Sequence, residues 1–216
     1  VNLGMDYGTL CDLVEMLEGG HVKVGSELVL ALGWGAMYDD MDTNPTYEWH
    51  RKWYEPYFYF QRDRLSEFVT DNLKALLGEG EIRRRIWTGQ QKAFYYGSMT
   101  QEELDERREK LHGLYFEGDA GLYADNLAAM DEVFAFCEAE GVRVRALWLP
   151  ENPAVEPEPL DLELRELCRE KCEAAGVEFY DMTDALGTEC FYDTGHLDYD
   201  YGAVVFTEVL DEWLLS

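Results

Sequence analysis

Three stretches of this chain combine residue types and spacings that chemistry can use. The sharpest is Asp193-Thr-Gly-His196. A carboxylate three residues ahead of a histidine in a loop can fold back onto the imidazole Nδ1. That contact fixes the tautomer and leaves Nε2 as a general base. The same four residues also read as a turn, with Asp193 a capping residue and His196 an ordinary loop histidine. The second stretch is Asn2-Leu-Gly4-Met-Asp-Tyr-Gly8-Thr9. Its glycines would let backbone N–H groups approach a ligand and line an oxyanion hole; a plain strand-to-helix turn uses the same residues. The third is Gly33-Trp34-Gly35-Ala36, placed after an apolar run where a ligand crevice would form. Asp39, Asp40 and Asp42 follow it, as oxygen ligands for a hard cation or as a solvated loop.

Other residues offer less. Eight aromatics lie between Tyr47 and Phe60, suited to sugar stacking or to core packing. Arg83-Arg84-Arg85 fits an anion contact or a solvated helix face. His21, His50 and His112 have no ligand-spaced neighbours. The five cysteines do not form a disulfide framework, and Cys168 and Cys172, four apart, read as core thiols on one helix face. There is no P-loop, dinucleotide fingerprint or zinc-ligand pattern. No metal and no organic cofactor are therefore expected.

These residues need elements to hold them. Leu28 to Leu32, Val142 to Leu149 and Val177 to Tyr180 read as strands. Between and after them, Leu122 to Cys137, Leu160 to Cys172 and Phe206 to Leu214 carry helical stripes. Cys11 to Leu17 reads as a further helix, and Val1 to Gly4 as the end of a strand. Strands alternating with helices imply an α/β fold with a parallel sheet and right-handed crossovers. Residues 44–118 break the rhythm and read as a mostly helical, aromatic-rich insert, with Thr100-Gln-Glu-Glu103 as a helix start. Pro150 to Pro159 holds four prolines and reads as a loop beyond a strand's carboxyl end. The 216 residues suit one domain, 1–216, that starts in mid-fold with a first strand missing.

Charge excludes some partners. The formal net charge is −27, with 12 basic against 19 acidic residues in 1–108 and 6 against 26 in 109–216. Such a chain repels phosphate backbones and anionic membrane surfaces, so no nucleic acid is expected. No apolar run approaches the roughly 20 residues of a membrane helix, and no membrane contact is expected from this segment. The oligomeric state leaves no mark on the sequence.

The order of the blocks resembles the SGNH (GDSL-like) hydrolase superfamily, nearest the cell-envelope branch of D-alanyl transfer proteins and alginate O-acetyltransferases. Asn2 to Thr9 is similar to the second block, Leu28 to Gly35 to the strand entering the third, and VRVRALWLPENP from Val142 to the late strand and proline loop. VEFYD from Val177 precedes Phe191 to Gly202, which resembles the catalytic Asp-x-x-His block. The resemblance implies a three-layer α/β/α sandwich and a serine esterase or O-acyltransferase acting on an acyl ester of a sugar or polyol. It makes His196 the general base and Asp193 its orienting acid, with Gly8, or else Gly4, as an oxyanion donor. Gly35 stands where the family carries an asparagine donor. The family's serine belongs upstream of the second block, and Ser26, Ser66, Ser98 and Ser216 do not occupy that context. Two readings stay open: a fragment whose nucleophile lies upstream, or a glycan-binding module of the same fold without one. The likeness places the protein in the cell envelope, whereas unpaired thiols suit a reducing interior.

Overall fold

The structure is a computed structural model that describes residues 8–41 and 94–215. These residues fall in one compact unit, to which the segment 44–93 does not belong. In chain order its elements are α1 (Leu10–Glu18), β1 (Glu27–Leu32), α2 (Trp34–Met37), α3 (Gln101–Leu111), α4 (Ala124–Glu140), β2 (Arg143–Trp148), α5 (Pro159–Ala175), β3 (Glu178–Asp181) and α6 (Gly202–Leu215). The strands form a parallel sheet in the order β1-β2-β3, with Glu27 opposite Arg143 and Arg145 opposite Glu178. The protein is thus mixed α/β. Of the expected insert over 44–118, residues 44–93 lie outside the described residues, and 94–118 pack within the unit that holds the sheet.

Local chemistry explains the boundaries. Thr100 and Glu103 form a capping box: Glu103 N–H meets Thr100 Oγ1, and Thr100 N–H donates to Glu103 Oε2 at 2.8 Å. Pro159 opens α5, where its missing N–H costs nothing. Gly141 and Gly176 end α4 and α5 at φ 69° and 68°, left-handed positions that glycine adopts without strain.

The two faces of the sheet are built differently. Leu28, Leu30 and Leu32 of β1 align with Val144, Ala146 and Trp148 of β2, and all but Val144 are buried. Helix α4 packs against β2, and α1 packs on α4. On the other face, Leu147 joins Met182 and Trp213 in a core that Tyr180, Phe206, Val209 and Leu210 complete. Helix α6 thereby lies over β2 and β3. Arg145, only 2% exposed, fastens it. Its Nη2 donates to Trp213 O at 2.7 Å and Glu178 Oε1 at 2.8 Å, and Nη1 donates to Leu214 O at 3.2 Å. Its guanidinium sits 4.1 Å from the Trp213 ring centroid. A buried cation at a helix C-terminus meets the carbonyls that the helix leaves unpaired.

Because the strands are parallel, Leu32, Trp148 and Asp181 all end at one edge. The segments beyond them meet there: Leu149 N–H donates to Leu32 O, and Glu151 N–H to Thr183 O. That edge carries the site.

Candidate active site

The loop after β3 passes through a short 3-10 turn at Thr188–Cys190 and closes on itself. Phe191 bridges Leu197, and Tyr192 N–H donates to His196 O at 2.8 Å. Inside this closure Asp193 is wholly buried. Its Oδ1 accepts the N–H of Gly195 at 3.0 Å and of His196 at 2.8 Å. Its Oδ2 lies 2.9 Å from His196 Nδ1. Turn-forming residue and imidazole anchor are therefore one carboxylate, using one oxygen mainly for each task. Burial alone would push the Asp193 carboxyl up. Hydrogen bonds from the His196 ring and from the N–H groups of Gly195 and His196 outweigh it and hold the carboxyl below its ordinary range. Asp193 is ionised at neutral pH. The His196 side chain is about half exposed. With Nδ1 committed to Asp193, Nε2 makes no hydrogen bond among the described residues.

Four segments fix this loop. Gly202 begins α6 against the Cys190 carbonyl: a Cβ there would lie 1.8 Å from Cys190 O, so only glycine fits. Asp198 accepts the N–H of Tyr201 on Oδ1 at 2.8 Å and of Gly97 on Oδ2 at 2.7 Å. Ahead of α3, Met99 N–H donates to Tyr192 O at 2.8 Å and Ser98 Oγ to Phe191 O at 2.9 Å. From the loop after β2, buried Asn152 donates through Nδ2 to Asp193 O at 2.9 Å. The Tyr95 ring lies 4.4 Å from the His196 ring and stacks on Tyr192 at 4.9 Å. Beside it, Phe94, Tyr96 and Tyr199 contact one another with about half of each surface exposed. Helix α3 adds Arg107, whose Nη2 is 3.0 Å from Asp193 Oδ2.

The other expected site residues fall as follows. Gly4 lies outside the described residues. Gly8 precedes α1, and the donors just after it are engaged: Thr9 N–H with Asp12 Oδ2 at 2.8 Å, and Cys11 N–H with Asn126 Oδ1 at 2.9 Å. Gly35 is the second residue of α2, and no neighbouring atom comes close enough to require glycine there. Among the described residues, no hydrogen bond or ion pair joins Gly8 or Gly35 to the Asp193 loop. Asp39 is a remote helix cap: its carboxylate accepts the N–H groups of Asp125 and Asn126 at the start of α4, each at 2.9 Å. Asp42, the aromatics from Tyr47 to Phe60 and Arg83 to Arg85 lie outside the described residues. Ser26 sits at the amino end of β1, away from the site edge, and the Ser98 hydroxyl is spent on Phe191 O. Ser66 and Ser216 are outside the described residues. Cys168 and Cys172 are fully buried, and burial pushes both thiols up to about 12.

Sequence reasoning missed Arg107, Asn152 and Tyr95. Only Asn152 had a signal, its place in the proline loop. His112, given no role, pairs through Nδ1 with Glu158 Oε2 at 2.9 Å, and Arg108 reaches Glu158 Oε1 at 3.2 Å. No group of three or more His, Cys, Asp or Glu side chains among the described residues is arranged to hold a metal. No described helix is long and apolar enough to cross a membrane. Comparison with family models, with curated proteins and with solved structures finds no match for this chain.

Proposed function

We propose that this chain supplies the histidine–aspartate half of a serine-dependent ester hydrolase or O-acyltransferase of the SGNH type, built as a three-layer α/β/α sandwich and acting on an acyl ester of a sugar or polyol. One observation carries the reading: a buried, ionised Asp193 holds His196 Nδ1 at 2.9 Å, with Nε2 open, at the carboxyl edge of a parallel sheet. The nucleophile is a serine contributed from outside the described residues. Its Oγ attacks the acyl carbon as its proton passes to His196 Nε2. Asp193 stabilises the resulting imidazolium, and the N–H of Gly8 itself, not the engaged donors after it, receives the oxyanion. Collapse expels the alcohol, which takes the proton from Nε2 and leaves an acyl-serine. Water then yields hydrolysis, or a second hydroxyl yields transfer. This chemistry needs no cofactor from the chain. The acidic surface turns away nucleic acid.

A second reading rests on the exposed rings of Phe94, Tyr96 and Tyr199 beside His196. Together with two described serines that do not address His196, they suit a glycan-binding module without a nucleophile. A serine-directed fluorophosphonate probe separates the two. It is applied to the longest product of the gene, with His196→Ala as control, and the labelled site is read by mass spectrometry. Labelling of one serine that vanishes in the control is expected. A folded protein that takes no label transfers the assignment to the binding module.

A further inference from the structure

We propose that Arg107 is the positioning residue of the Asp193–His196 pair, which rests on the reading of His196 as the general base. Its guanidinium Nη2 lies 3.0 Å from Asp193 Oδ2, the same oxygen that stands 2.9 Å from His196 Nδ1. The Asp193 side chain is 1% exposed, so water cannot replace either partner there. One carboxylate oxygen is thus shared between a permanent cation and a titrating ring.

The helix that delivers Arg107 is anchored for the task. Thr100 caps α3, and the residues just before it bond to the site loop at Phe191, Tyr192 and Asp198. Gln101 Nε2 donates to Ala154 O at 3.2 Å, tying the same helix to the loop after β2 that holds Asn152. Arg107 and Arg108 diverge: Arg108 turns to Glu156 and Glu158, leaving Arg107 for Asp193. The groups that face the pair are Arg107 from α3, Tyr95 ahead of it, and Tyr192 and Asn152 from the loops.

Two effects follow from this geometry. Arg107 keeps Oδ2 turned toward Nδ1, and its charge weakens the carboxylate's hold on an imidazolium. A residue that merely stabilises the fold would leave that hold unchanged.

The test follows the His196 imidazole nitrogens by NMR against pH in this chain, in Arg107→Met and in Arg107→Lys. The methionine variant is expected to protonate roughly one pH unit higher, about tenfold in the protonation constant, and the lysine variant to return most of that shift. An unmoved His196 midpoint in folded Arg107→Met overturns the proposal. If that variant does not fold, Arg107→Lys decides. A midpoint near wild type, with the Nδ1 proton still hydrogen-bonded, supports the role; a proton lost from that bond despite the retained charge overturns it. The measurement needs no turnover. A shift seen where no serine is ever labelled therefore upholds Arg107 and removes the esterase reading.

Discussion

Replacing Asp193 by asparagine tests the centre of the site without assuming any activity. Every partner of this carboxylate is a donor: two backbone N–H groups on Oδ1, and His196 Nδ1 with the Arg107 guanidinium on Oδ2. An amide has one oxygen and one NH2. With its oxygen toward Gly195 and His196, the NH2 faces the imidazole and the guanidinium. Flipped, it faces two buried backbone donors. Flipped, two donors lose an acceptor; unflipped, Arg107 does, and His196 Nδ1 keeps a partner only by giving up its proton and accepting from the NH2, so either way the buried charge disappears. Each unsatisfied donor costs about 1–3 kcal/mol, and breaking a buried charged pair about 3–5 kcal/mol. Arg107 is a third exposed, which discounts its share. Asp193→Asn should therefore lose roughly 3–4 kcal/mol at pH 7 in urea denaturation. The pH dependence has a definite sign. The folded carboxyl is held below its unfolded value near 3.9, so its contribution is complete above about pH 4 and fades as pH falls further. The gap between wild type and variant should narrow in acid. A loss under about 1 kcal/mol, or a gap that widens below pH 4, would refute the reasoning.

Three further outcomes follow. Arg145→Met removes two hydrogen bonds and a stacked cation from the end of α6, and a third bond to Glu178 of β3, and should cost about 2–4 kcal/mol, with amide exchange rising over residues 209–215; protection unchanged from wild type would contradict it. Burial first, then Glu151, pushes the Asp161 carboxyl up to about 8. The folded state therefore holds an extra proton between about pH 4 and 8, and stability falls across that window by up to about 1.4 kcal/mol per unit. Asp161→Asn should flatten the fall in urea midpoints, and an unchanged slope would count against the assignment. Gly202→Ala must shift Cys190 O by more than 1 Å to reach a tolerable contact; a sharply lower melting temperature is expected, and an unaltered one would show that α6 does not begin against that carbonyl.

Periodicity made the sheet and its helices readable. Leu28, Leu30 and Leu32 alternate because β1 buries one face, and Met130, Val133, Phe134 and Cys137 of the expected stripe follow the packed side of α4, while Leu122 falls in a 3-10 turn ahead of it. The Asp193–His196 contact was also legible, since both partners lie within one turn and their spacing encodes it. Arg107, Asn152 and Tyr95 were not. Each reaches the loop from across the chain, and a contact between distant segments leaves no local pattern. Arg107 looked like any other charge on a polar helix, α3, of which only Leu104 is buried. The role of Asp39 was hidden for the same reason: its run reads as a cation site or a solvated loop, whereas its partners are the N–H groups of α4, far along the chain.

The pairing of Glu27 with Arg143 bears on how the molecule is made. A ribosome releases β1 long before β2, so Leu28, Leu30 and Leu32 must wait for their cover. Closing so long a loop adds only slowly to the entropic cost, but it delays the search for the partner strand. The dyad waits longer still, because its loop is clamped by Gly202 at the start of the last helix. A nascent chain stopped before α6 already holds the local bonds between Asp193 and His196 but lacks the clamp at Gly202. The clamp on the Asp193–His196 loop is therefore added after the segments that carry Arg107, Asn152 and Tyr95.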